Sequence, residues 1–363
     1  MKHKLVWAAA AAFALAVFGP HQTVSADIDN LAVTPVVANT DVTDRFEIVG
    51  QPNSNRQLKL SLSNFSSAPM SLTITPTNAT VTSTGDIGYS QIVKKAHYGL
   101  PYVLNQKVKT QTIKLGGNDS QTLTFNVPLP AKSFDGLVMG GFHVSLNGSP
   151  EQFVDVPLLM TMTNQVPTPK FIFSQIKGNS YNKQTYLQVD IANLKAVALK
   201  NVSYNITVKS DDWLSKIGIG KQRYQAIKSG VSVAPNAALP IPINLHDQPV
   251  KAGKYQISGT VQVNGQRWHI ATDGTVSAES AKTANAQDPN LIHDYTIYFI
   301  LGIAALVILI IVISIIMFGR NKHKKKTAAT KKKAKSAAKK QESSTETEQG
   351  KPDKQDSKQN EKD

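Results

Sequence analysis

Cysteine is missing from all 363 residues, which excludes a disulfide framework, a thiolate metal site and a cysteine nucleophile. Small exported animal domains usually carry disulfides, so an exported chain without them points to a bacterial surface and to domains large enough to stand on their own cores. Catalytic constellations are missing too. The eight histidines are scattered, none at metal-pair spacing with another. Asp211 and Asp212 are adjacent and would face opposite ways in a strand, while Asp155 and Asp190 have no evident mate. Glycine-rich phosphate loops and nucleophile elbows are absent. The sequence therefore predicts a protein that is not an enzyme and has no cofactor or metal.

Acidic charge is also scarce, leaving a net charge of +15, but the excess is uneven. Residues 27–163 carry −1, residues 164–294 carry +6 and residues 320–363 carry +8. Most of the excess therefore lies in the tail and reports topology. The tail has no interleaved aromatics on which bases could stack, so no nucleic-acid partner is expected.

Two apolar runs set that topology. Residues 1–26 read as a signal peptide: Lys2 and Lys4, an uncharged run over Leu5–Phe18, then Val24-Ser25-Ala26, with cleavage between Ala26 and Asp27. The second run, Ile297–Phe318, holds 22 residues without a charge. As a helix it would be about 33 Å long, enough to cross a bilayer. Residues 295–319 are accordingly expected as a transmembrane helix, with Tyr295, Tyr298 and Phe299 at one interface. Arg320, Lys322, Lys324, Lys325 and Lys326 follow as a stop-transfer signal that also meets anionic headgroups. Eleven Lys or Arg and no acid fall between Arg320 and Lys340. The tail, 320–363, is therefore expected in the cytoplasm and disordered, with the N-terminal domains outside the cell membrane.

Between these runs the chain alternates. Leu58-Lys-Leu-Ser-Leu, Leu123-Thr-Phe-Asn-Val, Tyr186-Leu-Gln-Val-Asp-Ile and Leu239-Pro-Ile-Pro-Ile-Asn-Leu are period-2 runs of half-buried strands. Turn chemistry at Asn147-Gly148, Pro235-Asn236 and Asn264-Gly265 separates such runs. The expected fold class is all-β, two tandem immunoglobulin-like β-sandwich domains plus the C-terminal helix. Pro167 and Pro169 mark the join, giving domains at 27–164 and 165–277, and residues 278–294 read as a flexible stalk. The halves echo one another: Leu58–Asn64 (LKLSLSN) answers Leu187–Asn193 (LQVDIAN).

One glycine-rich stretch invites a functional reading. Phe134, Asp135, Gly136, Gly140 and Gly141 form a candidate ligand or partner loop, where missing side chains would let a glycan or a partner strand approach the backbone. The same glycines also suit a bulge or tight corner.

The exterior resembles the WxL-interacting protein family of Gram-positive bacteria. The resemblance rests on Leu31-Ala-Val-Thr-Pro35, Gln57–Asn64, Thr84-Gly-Asp-Ile-Gly-Tyr89 and Phe134–Gly141, then Ala234-Pro-Asn236 and Gly253-Lys-Tyr255 leading to Trp268. It implies a first domain that binds peptidoglycan, a second that engages host extracellular ligands, and partnership with secreted WxL-bearing surface proteins. At the entry, Val36-Val37-Ala38-Asn39 stand where the family pattern has an Asn-Gln pair. The residues alone leave two other classes open: a single-pass receptor signalling through its tail, and a wall-glycan hydrolase.

Overall fold

Alternation becomes strand wherever the sequence carries it. The computed structural model describes residues 28–38, 42–211, 223–292 and 295–342. The chain divides into two compact units, one closing at Ile292 and one beginning at His293.

The first unit opens with nine strands: β1 (Leu31–Val36), β2 (Phe46–Val49), β3 (Asn55–Asn64), β4 (Met70–Val81), β5 (Ile87–Gln91), β6 (Gln111–Leu115), β7 (Ser120–Pro128), β8 (Leu137–Leu146) and β9 (Ser149–Thr161). One helical turn, α1 (Leu104–Lys107), precedes β6. One sheet runs β1-β3-β7; the facing one runs β2-β9-β8-β4-β5, with β6 also on β4. Leu58, Leu60 and Leu62 of β3 and Leu123, Phe125 and Val127 of β7 point inward, while the intervening polar residues face water. They close on Phe142 of β8, which Phe125 meets at 4.4 Å and Phe46 edge-on at 5.8 Å between ring centroids. Pro76 falls in β4 between the residues paired to β6 and those paired to β5, where a missing N–H interrupts no ladder on that side.

Seven more strands follow: β10 (Phe171–Tyr181), β11 (Gln184–Asn193), β12 (Leu199–Ser210), β13 (Arg223–Val233), β14 (Ala238–Asn244), β15 (Gly253–Val263) and β16 (Gln266–Val276). A β10-β11-β14 sheet faces a β13-β12-β15-β16 sheet. These are the all-β sandwiches the alternation implied. The core takes Leu187, Val189, Ile191, Leu239, Ile241, Ile243, Ile206 and Val208, all fully buried. In β11 the second face is buried as well. Asp190 accepts from Gln175 Nε2 and Gln188 Nε2, each at 2.6 Å, and Asn179 Nδ2 donates to Gln188 Oε1 at 2.7 Å. Asp190 thus has mates that sequence spacing did not reveal, because they come from the neighbouring strand and from two residues away on its own face.

Residues 278–294, expected as a flexible stalk, begin otherwise. Helix α2 (Ala278–Asn285) starts at Ser277, whose side chain accepts from Ser280 N, and packs on β10 and β11. Gly178 N donates to Ser280 Oγ at 2.7 Å, Thr185 Oγ1 to Ala284 O at 2.9 Å and Thr185 N to Asp288 Oδ2 at 2.8 Å. Small residues make this possible: Ala281 and Ala284 are buried, and Gly178 has no Cβ to hold the helix away. A composition rich in Ala, Ser and Thr reads as linker until a sheet face with matching donors lies beneath it.

The second unit is one helix, α3 (Thr296–Glu342), 47 residues and about 70 Å long. Its Tyr298–Phe318 stretch, of mean hydropathy 3.4, is long and apolar enough to cross a membrane. The helix continues through the basic run to Glu342, where disorder was expected from Arg320 onward. Lys and Ala are strong helix formers, so an established helix propagates through them. Residues 343–363 lie outside the described residues.

Candidate functional site

The predicted cleavage residues Ala26 and Asp27 lie outside the described residues. Arg320, Lys322, Lys324, Lys325 and Lys326 all fall on the backbone of α3.

The candidate loop lies at the join between the two sandwiches. Gly136 has φ +87°, its N–H donates to Gln165 O at 2.8 Å, and a Cβ there would sit 2.0 Å from Ala196 O of the second sandwich. Leu137 N donates to the same carbonyl at 2.7 Å. Asp135 Oδ1 accepts from Thr163 Oγ1 at 2.7 Å, and Phe134 packs against the first core. Gly140 and Gly141 are inside β8, where a Cβ would meet Thr77 O at 2.5 Å and Val156 O at 2.7 Å. The backbone approach that these glycines allow is therefore intramolecular at each position.

Gly141 also leaves room for Tyr89, whose ring lies 3.3 Å from where a Cβ would be. Tyr89 is buried, and Thr77 Oγ1 donates to its carbonyl. Its ring leads into a groove of about 380 Å³ with four walls. Val33, Thr34 and Pro35 come from β1, and Thr43, Asp44 and Arg45 from the approach to β2. Thr82, Thr84 and Asp86 come from the β4–β5 turn, Ile87 and Gly88 from the start of β5, and Phe153–Pro157 with Leu159 from β9. Ser232, on β13 of the second sandwich, also lines it. Two stretches that carry the family resemblance, Leu31–Pro35 and Thr84–Tyr89, thus meet across one cavity.

The groove's chemistry is hydroxyls, carboxylates and two aromatic rings. Arg45 is clamped between Asp44 (3.0 Å) and Glu47 (2.8 Å). His143 Nδ1 bonds Asp155 Oδ1 at 2.7 Å, and Phe153 tilts over the His143 ring at 4.8 Å. Burial, then the carboxylates of Asp155 and Asp44 against the opposing Arg45, hold the Tyr89 hydroxyl above the usual tyrosine range. Tyr89 therefore stays a neutral donor at any physiological pH. Among the described residues no cluster of three or more His, Asp or Glu could hold a metal ion. Rings beside fixed donors and acceptors suit a polar, hydroxyl-rich ligand.

Sequence reading missed this site because its walls are far apart in the chain. The partnership of His143 and Asp155 had no sequence signal either. A two-residue Asn147-Gly148 turn sets Leu146 opposite Ser149 and by itself would bring His143 opposite Gln152. A bulge between Ser145 and Leu146 shifts the register to Asp155.

Comparison with known proteins agrees with the architecture. The model of the WxL Interacting Protein peptidoglycan binding domain matches residues 32–146, and that of the host binding domain matches residues 151–286. The transmembrane domain of cytochrome c oxidase subunit II matches residues 271–335, which take in the apolar helix. No curated protein gives a significant match. Similar solved structures include a family 123 glycoside hydrolase from Clostridium perfringens, at 10% identity and TM-score 0.25, covering 38% of this chain. The chain spans only 28% of that hydrolase. The CupB2 chaperone of Pseudomonas aeruginosa matches at 12% identity and TM-score 0.24, over 64% of this chain and 97% of its own. The CsuC–CsuE chaperone–tip adhesion subunit complex of Acinetobacter baumannii matches at 12% and 0.26, over 62% and 94%. At these scores none bears on function. The two domain matches, in order along the chain and over the two sandwiches described, make this protein a member of the WxL-interacting protein family, with a cell-surface binding role.

Proposed function

We propose that the protein is a non-catalytic, membrane-anchored binding module. It tethers secreted WxL-bearing proteins and peptidoglycan at the cell envelope, and its second domain engages host extracellular ligands. The observation that carries the wall-binding half is the groove of about 380 Å³ between β1, the β4–β5 turn and β9, with the partly exposed Phe153 ring beside hydroxyl and carboxylate groups. Glycan strands bind through such combinations of ring faces and directional hydrogen bonds. The anchor is the apolar Tyr298–Phe318 stretch of α3, with exposed Leu301, Ile308 and Ile316, crossing the membrane and leaving the basic run in the cytoplasm. The second domain and the segment after it, at +6, favour acidic partners through a salt-sensitive attraction.

The test is to immobilise residues 27–292 and pass the producing organism's surface extract over them, identifying what is retained by mass spectrometry. Capture of a WxL-bearing protein together with wall fragments supports the tether. Wall fragments alone reduce the function to a peptidoglycan anchor. Retention of neither at low salt overturns it, and turnover of wall glycan by the same surface would make the protein a hydrolase.

A further inference from the structure

We infer that the wall-binding groove belongs to both domains: β13 of the second sandwich holds the β4–β5 turn in its binding shape, with Lys228 and Val231 as positioning residues. This rests on the groove reading above and concerns which residues build that site.

The β4–β5 turn supplies one whole wall of the groove, and its tip is fastened to β13 at three points. Ser232 N donates to Gly85 O at 2.7 Å. Lys228 Nζ donates to Thr84 O at 2.6 Å. Val231, buried, packs so closely on Gly85 that a Cβ there would meet its Cγ1 at 2.8 Å and its Cγ2 at 3.0 Å. Ser232, next in sequence, lines the groove itself. Within the turn, Thr82 N donates to Asp86 O at 2.8 Å and Thr84 Oγ1 to Asp86 Oδ2 at 2.8 Å. A push at Gly85 is thereby passed to Thr82, Thr84 and Asp86, which face the ligand space.

The opposite wall also crosses the line that the family matches draw. Phe153–Pro157 lie beyond residue 146, in the stretch matched by the host-binding model, yet β9 pairs with β8 and β2 of the first sandwich. Neither matched stretch alone contains the groove. A wall ligand there touches the turn that the second domain grips, so wall binding and the second domain's position are linked.

The experiment uses the full chain in lipid nanodiscs and soluble peptidoglycan fragments released by a muramidase, with affinity measured by calorimetry. Gly85→Asn tolerates the positive φ of +85° but drives a Cβ against Val231, whose branched side chain has little rotamer freedom. It should weaken binding about five-fold, the scale of one net hydrogen bond. Adding Val231→Ala removes the obstruction and should restore affinity. Lys228→Met should weaken binding about three-fold while Lys228→Arg keeps it, with unchanged thermal unfolding in both. Rescue by the paired change assigns the loss to the Gly85–Val231 contact, and unchanged thermal unfolding of Lys228→Met separates positioning from general destabilisation. If wild type binds the fragments and Gly85→Asn and Lys228→Met bind equally well, the shared groove is wrong and the proposed function stands. If wild type binds no fragment, the groove reading itself falls and this inference with it.

Discussion

Asn64 and Asn193 are the same residue in two sandwiches. Each ends the second strand of its three-stranded sheet, and each is buried. Asn64 Nδ2 donates to Ala68 O (2.8 Å) and Gly116 O (2.9 Å), and its Oδ1 accepts from Ser66 N (2.9 Å). Asn193 Nδ2 donates to Val197 O (2.8 Å) and Ala234 O (3.3 Å), and its Oδ1 accepts from Lys195 N (3.1 Å). In each domain the latch ties the loop between sheets to the turn before the next strand, where Asn118 and Asn236 adopt φ of 51° and 52°. Asn64→Ala and Asn193→Ala should each cost about 2–4 kcal/mol, because buried backbone groups lose their partners. Denaturant unfolding of each variant, and of the pair for additivity, checks this.

Gly136 and Gly148 separate crowding from backbone conformation. Both have positive φ, but only Gly136 faces an atom, Ala196 O, whereas Gly148 faces open space. Gly148→Ala should cost about 1–2 kcal/mol, the left-handed penalty alone. Gly136→Ala should cost more and open the join, seen as faster proteolysis between residues 162 and 170.

Alkaline pH should destabilise the exterior. Burial pushes the hydroxyls of Tyr102 and Tyr224 up to about 12 from the ordinary 10, and Tyr102 Oη donates to Pro128 O at 2.7 Å. Between pH 10 and pH 12 the folded state therefore binds more protons than the unfolded one. The associated stability is fully present below pH 10 and is lost as pH rises towards 12. Denaturant midpoints across this range should fall, and Tyr102→Phe should flatten part of the slope.

Helix α2 should behave as a docked element. Asp288 accepts from Thr185 N and Asn290 N, so Asp288→Ala should speed hydrogen exchange across residues 278–290 by about ten-fold. Equally fast exchange in wild type and variant would restore the flexible stalk.

A chain cut after Leu146 should not fold, because β8 would lose β9 and β2 would lose its partner strand. A cut in the join after residue 164 keeps every strand of the first sheet pair. Circular dichroism and the thermal transition of the two truncations distinguish these outcomes.

Strands were legible because side-chain period and burial share one cause: Leu58, Leu60 and Leu62 could only face inward. The echo of Leu58–Asn64 in Leu187–Asn193 was legible too, though not its purpose, since each asparagine also holds a carbonyl from a distant turn, Gly116 O or Ala234 O. In β11 the alternation misled. Gln188 and Asp190 look like a wet face and are buried, because Gln175 and Asn179 supply partners from the neighbouring strand. Composition misled at α2 and along the basic run of α3, where docking in one case and helix propagation in the other outweighed the linker-like content.

The amino-acid sequence by itself determined the all-β class, the apolar C-terminal helix and the family, since each rests on local periodicity or on ordered short stretches. Tertiary structure alone decided that His143 meets Asp155, that Gly136 faces the second domain, and that Tyr89, Asp86, Pro35, Phe153 and Ser232 share a groove. Those relations depend on register and on contacts between residues far apart in the chain, and a local irregularity in one strand or a missing Cβ is enough to change them.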